Sequence, residues 1–131
     1  MSGEPIRYSA RVRDLFARLP GAEALPAGRG TVVSGEAMVL ERGAWVRLEA
    51  RIDQGRVVEC VFRAWGCPHV LAAAAWACAE MRGLAIDAAG AINARRLAEA
   101  LDAPAGKMGR LLVVEDAMHA LIAEARTVQV R

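Results

Sequence analysis

The side chains best suited to carry a nucleophile or bind a soft metal are three cysteines, Cys60, Cys67 and Cys78, and two histidines, His69 and His119. Cys67 stands apart because Pro68 follows it. Proline fits the first position of a helix, where its missing N–H costs nothing, so Cys67 falls at the N-cap. There the positive end of the helix macrodipole and the free backbone N–H groups favour a thiolate. This predicts a thiol that ionises more readily than a free cysteine. The competing reading is a small buried residue leading into an alanine-rich helix, since free cysteine is among the most buried residue types.

The other candidates read differently. Cys60 shares strand parity with Val58 and Phe62 and is expected in the core, and Cys78 lies inside the apolar run Val70–Ala79. Cys67 and Cys78 fall on nearly one helix face, but eleven residues at a rise of ~1.5 Å separate them by about three turns, too far to share a metal. His69 is placed to ligate a metal or tune the Cys67 thiol, although a first-turn position predicts a solvated side chain. His119 follows Glu115 by one helical turn, which suggests a surface ion pair. A structural or cluster site normally needs about four protein ligands, and this neighbourhood supplies one or two. No catalytic set is evident, and the chain is not expected to be an enzyme.

The elements that must position Cys67 follow from periodicity. Ser9 can cap a first helix carrying Val12, Leu15, Phe16 and Leu19 and ended by Pro20-Gly21. An irregular Gly/Pro/Ala segment from Pro20 to Gly30 leads to three strands, Thr31 to Leu40, Trp45 to Ile52 and Arg56 to Ala64. The second alternates strictly, with Val46, Leu48, Ala50 and Ile52 on one face and Arg47, Glu49 and Arg51 on the other, as in a half-buried antiparallel strand. Glu41-Arg42-Gly43-Ala44 and Asp53-Gln54-Gly55 are short enough for hairpins. After Trp65-Gly66 the spectrum becomes helical: Pro68 to about Arg82, then a short helix from about Ala94 to Leu101 capped by Asn93. A last helix runs from about Gly109 to Ala125, with Leu111, Val114, Met118, Leu121, Ile122 and Ala125 on one stripe. Strands followed by helices, without βαβ alternation, imply an α+β fold in which helices cover a three-stranded antiparallel sheet.

At 131 residues the chain suits one domain, residues 1–131, with flexible ends at 1–7 and 126–131. The net charge of +2 is small and the arginines are scattered, so neither nucleic acid nor an anionic membrane is an expected partner. The longest apolar run is far short of the ~20 residues that cross a bilayer, and half of it is alanine. An odd set of cysteines and an N-terminus without a secretory pattern point to a reducing, cytoplasmic setting.

The stretch Gly55-Arg-Val-Val-Glu-Cys-Val-Phe-Arg-Ala-Trp-Gly-Cys67, running into an alanine-rich helix, resembles the iron-sulfur cluster assembly scaffolds of the IscU and NifU N-terminal family, whose corresponding strand ends in aromatic-Gly-Cys. Tyr8-Ser9, the loop Pro104 to Lys107 and Glu115-Asp116-Ala117 extend the similarity from about Tyr8 to Ala125. The resemblance implies a small scaffold to which a cysteine desulfurase delivers sulfur and on which a [2Fe-2S] cluster is built. The family uses three cysteines, of which this chain keeps the middle one, Cys67. At the family's Cys-Gly-Asp motif stands Arg42-Gly43-Ala44, or in a rival register Ser34-Gly35-Glu36, which needs a long insertion. Gly109-Arg110 stands where a histidine and the third cysteine are expected. Of the family's chaperone-docking Leu-Pro-Pro-Val-Lys only Pro104 and Lys107 remain, a pattern too incomplete to predict an Hsp70-type partner.

If Arg42 and Arg110 flank Cys67, they favour its thiolate and oppose a bound iron or zinc cation. The expectation is therefore a degenerate scaffold. Its Cys67 accepts sulfur as a persulfide or contributes, with His69, to a labile centre shared across a homodimer. The alternative is an interaction or regulatory module of the same fold without metal chemistry, its arginines merely covering apolar surface.

Overall fold

The computed structural model describes residues 9–10, 12–13 and 24–129. Three strands, β1 (Thr31–Val39), β2 (Ala44–Asp53) and β3 (Arg56–Trp65), form an antiparallel sheet in the order β1-β2-β3. Along β2 the alternation is complete: Ala44, Val46, Leu48, Ala50 and Ile52 are buried, and each intervening residue is partly exposed. A 3-10 turn, Leu40–Arg42, joins β1 to β2, and Gly43, at φ 59°, closes it by donating its N–H to the Leu40 carbonyl at 3.0 Å. Leu40 thus belongs to the turn rather than the strand, and its side chain is exposed. The second hairpin turns through Gln54 and Gly55, both at positive φ, the backbone that matches strand twist in a tight turn.

The ladder between β2 and β3 breaks once. Arg51 pairs with Glu59 but Ile52 pairs with Val57, so Val58 is an extra residue, a β-bulge. The bulge corrects the expected parity. Val57 faces the core beside Cys60 and Phe62, whereas Val58 points outward and is 44 % exposed.

Four helices follow: α1 (Pro68–Met81), α2 (Ile86–Ala89), α3 (Ala94–Leu101) and α4 (Met108–Gln129). α1 ends at Met81, one residue before the expected Arg82, and Gly83 donates its N–H to the Val57 carbonyl at 2.6 Å while Val57 N–H reaches Leu84 O at 2.9 Å. These bonds run the α1–α2 connection along the start of β3. α2, four residues long, is too short to leave a periodic signature. Asn93 caps α3 by accepting from Arg96 N–H at 2.9 Å, as anticipated. α4 continues to Gln129, so residues 126–129 are helical rather than a flexible tail, and Arg126 pairs with Asp87 at 3.1 Å.

At the N-terminal end Ser9 Oγ accepts from Val12 N–H at 3.2 Å and donates to the Leu101 carbonyl, and Ala10, Val12 and Arg13 are helical. The remaining expected helix positions, Leu15, Phe16, Leu19 and Pro20-Gly21, lie outside the described residues, as do residues 1–7.

One core joins the layers. The stripe Leu111, Val114, Met118, Leu121, Ile122 and Ala125 of α4 is buried, with α4 lying across β1 and β2 and α1 against β3 and α4. Each fully buried side chain of leucine or valine size contributes about 1.5–3 kcal/mol relative to exposure. The approach of α4 to the sheet is close enough that a Cβ on Gly35 would fall 2.2 Å from Ala117 O and 2.3 Å from Leu121 N. No helix among the described residues is long and apolar enough to cross a membrane.

Candidate functional site

Trp65 ends β3 and Pro68 begins α1, leaving Gly66 and Cys67 to turn the corner. Gly66 takes φ 150°, and Cys67, in extended backbone at the N-cap, has its carbonyl bonded by Val70 N–H at 2.9 Å and Leu71 N–H at 3.3 Å. The Cys67 side chain makes no capping hydrogen bond and is partly exposed, with one side packed on the core. Among the three thiols, Cys67 alone reaches solvent; Cys60 and Cys78 are buried.

Opposite this corner lies the β1–β2 turn. A Cβ at Gly66 would come within 3.4 Å of the Gly43 carbonyl, so the backbone of Arg42-Gly43-Ala44 borders the strand-to-helix junction. Ala44 is buried at the start of β2, presenting a methyl where the resemblance calls for a carboxylate. Ser34-Gly35-Glu36 instead sits midway along β1, paired with Glu49, Leu48 and Arg47 and with Gly35 beneath α4. The backbone of the Arg42 register lies beside the Cys67 corner.

The third element is the entry to α4. A 3-10 turn, Ala105–Lys107, with exposed Pro104 before it, feeds Gly109 and Arg110, both partly buried, into the first turn of α4. His69 joins this element to the corner. It is fully buried, which corrects the solvated side chain expected from its first-turn position. The reason lies in α1 itself: from His69 to Met81 it has almost no polar face, and most residues of its first three turns are buried. Burial lowers the His69 pKa below the ordinary imidazole range, and the positive charges of Lys107 and then Arg110 push it further down. The imidazole is neutral at pH 7, and two cations stand close enough to act on it.

Lys107, expected only as a docking position, is thus part of the electrostatic environment of the corner. The signal was its nearness in sequence to Arg110. Glu115 does not serve His119: its carboxylate accepts from Ala94 N–H at 2.8 Å and caps α3. His119 is exposed beside Gly90, Ile122 and Arg126, at the far side of α4 from the corner residues. Away from the corner, burial pushes the Cys78 thiol well up, and its hydrogen bond with Cys60 pushes the same way. At the end of the sheet that leads into the corner Met38 pairs with Trp45 and Trp45 with Trp65; Met38 and Trp65 are exposed. Trp45 donates its indole N–H to Glu36 at 2.6 Å.

Among the described residues no group of three or more His, Cys, Asp or Glu converges to hold a metal ion. The donor set at the corner, one thiol with a buried imidazole and two cations nearby, does not fit a cluster bound by one chain.

Fold and corner together define a small α+β scaffold that displays a single thiol between a strand and a helix. Residues 8–130 match the NifU-like N-terminal domain, and the chain belongs to that family. It is 26 % identical over 123 residues to the iron-sulfur cluster assembly scaffold protein IscU of Haemophilus influenzae, covering 93 % of this chain and 98 % of that one. It is 28 % identical over 88 residues to the iron-sulfur cluster assembly enzyme IscU of Drosophila melanogaster, 66 % of this chain and 57 % of that one. A candidate SUF-system scaffold from Fervidobacterium islandicum AW-1 shares the fold, with a TM-score of 0.73 at 15 % identity over 88 % of this chain and 96 % of that one. A NifU-like N-terminal protein from Brucella abortus superposes with a TM-score of 0.52 at 17 % identity, over 92 % and 83 % of the two chains.

Proposed function

We propose that this chain acts in iron-sulfur cluster assembly as a sulfur-accepting scaffold protein, with Cys67 as the acceptor and a cysteine desulfurase as the donor. The observation that carries this reading is the exposure of one thiol of three, at a helix N-cap, in a family whose named relatives assemble iron-sulfur clusters. The Cys67 thiolate attacks the outer sulfur of the donor's cysteine persulfide. The donor's S–S bond breaks, its cysteine leaves as a thiolate, and Cys67 keeps the sulfur as a new persulfide. The chain is a carrier in this step rather than a catalyst.

The charges near the corner support sulfur over iron. Lys107 and Arg110 act on His69, two residues from Cys67, and positive charges there oppose a bound metal cation. Three free thiols suit a reducing cytoplasm.

Anaerobic incubation with a desulfurase and cysteine, with and without ferrous iron, followed by intact-mass and peptide analysis, tests the proposal. The expected result is the mass of one sulfur atom gained on Cys67 irrespective of iron, absent in Cys67→Ala. A chain that takes no sulfur would be an interaction module and would overturn the reading. Iron retained together with sulfur in a dimer would overturn it in favour of a centre shared between two copies.

A further inference from the structure

Cys60 and Cys78 lie outside the corner, and the sulfur-accepting role does not use them. Cys60 comes from β3 and Cys78 from α1, both without solvent exposure, and the Cys60 thiol donates to Cys78 Sγ across 3.2 Å. Two core cysteines placed independently for their apolar bulk have no reason to meet sulfur to sulfur. A disulfide needs the sulfurs at about 2.05 Å, so they must close by roughly one ångström. Rotation of the two side chains within a β3–α1 contact that is already formed can supply that distance.

We propose that Cys60 and Cys78 form a reserve dithiol that peroxide converts to an intramolecular disulfide, tying β3 to α1 on either side of Cys67. Chemically, the Cys60 sulfur attacks a peroxide oxygen as its proton passes to water in the opened edge; the O–O bond breaks and hydroxide leaves, taking up that proton as water and giving a sulfenic acid. The second thiol attacks that sulfur, the S–O bond breaks, and water leaves. Two thiols and one hydrogen peroxide give one disulfide and two waters, the sulfurs being oxidised and the peroxide reduced.

Position governs access. Cys60 is on an edge strand, and its carbonyl accepts from the partly exposed Arg82 guanidinium at 3.3 Å, so a local opening of that edge admits an oxidant of water size. Larger disulfide reagents are excluded by the packing around both sulfurs. The resulting cross-link closes the segment 60–78, which contains the whole strand-to-helix corner, and leaves Cys67 outside the bond.

The test exposes folded protein to dilute hydrogen peroxide, quenches, unfolds, alkylates and maps peptides without reduction. The expected product joins the Cys60 and Cys78 peptides with the loss of two hydrogens, in the natural chain and equally in Cys67→Ser. Closing a loop of this length raises the Tm of oxidised Cys67→Ser by about 10 °C, reversed by a phosphine reductant. Peroxide-treated, folded Cys67→Ser in which both remaining thiols still alkylate would overturn the proposal. So would a natural-chain product in which Cys67 is a partner in the bond.

Discussion

Gly66→Ala places one methyl group at the turn that aims Cys67. Glycine there holds φ 150°, a region that side-chain-bearing residues enter at a cost of about 1–3 kcal/mol. The new Cβ would also stand 3.2 Å from Val70 Cβ, 3.3 Å from Val70 Cγ2 and 3.4 Å from the Gly43 carbonyl. Val70 is fully buried in the first turn of α1 and has no free direction in which to retreat, so overpacking adds about 1 kcal/mol. The sum, ~2–4 kcal/mol, is a large fraction of the 5–15 kcal/mol typical of a domain. Urea unfolding followed by circular dichroism measures it, with a lower midpoint and an unchanged slope expected. Gly106→Ala is the control, because nothing lies within 4 Å of its new methyl. A Gly66→Ala midpoint equal to that of the control would refute the claim that this backbone turn is held against strain by its neighbours.

Two further outcomes follow from the packing. Gly35→Ala forces α4 off the sheet, because the added Cβ meets backbone atoms of Ala117 and Leu121 at 2.2 and 2.3 Å; a loss of about 3 kcal/mol or more in the same urea assay is expected. The neutral His69 contributes stability that is complete above the unfolded imidazole pKa of about 6.5. It is lost as the pH falls from there through the lower folded value, since the unfolded chain takes up the proton first. Thermal unfolding between pH 7 and 5 should fall more steeply for the natural chain than for His69→Gln, and parallel curves would count against the burial.

The sequence carried the strands and helices because their periodic signals are long. Ala44–Asp53 alternates over ten residues, and the α4 stripe repeats over fifteen positions from Leu111 to Ala125. Features set by single residues escaped. The bulge at Val58 has no signature in its own apolar neighbourhood, since Val57 and Val58 are the same residue type and either could face inward. The burial of His69 escapes a rule that treats the first turn of a helix as solvated, because the helix concerned has almost no polar face. Lys107 escaped notice as part of the corner because the charge environment is assembled in space, from a turn nearly forty residues downstream of the thiol. The Cys60–Cys78 meeting could not be read at all, as it depends on how a strand and a helix are laid on each other.

The doubled step at Val58 also decides where a charge goes. In an unbroken ladder, stepping back from Phe62 by twos through Cys60 would send Val58 and then Arg56 toward the hydrocarbon, and an unpaired guanidinium there is far more costly than the strand could recover. With one residue spent on the irregularity, Arg56 emerges on the outside and donates to the Gly83 carbonyl at 3.2 Å, fastening the chain as it leaves α1. A β3 of the same length without the irregularity would have to bury the arginine or slip its hairpin, so the defect in the ladder keeps the rest of the sheet in phase.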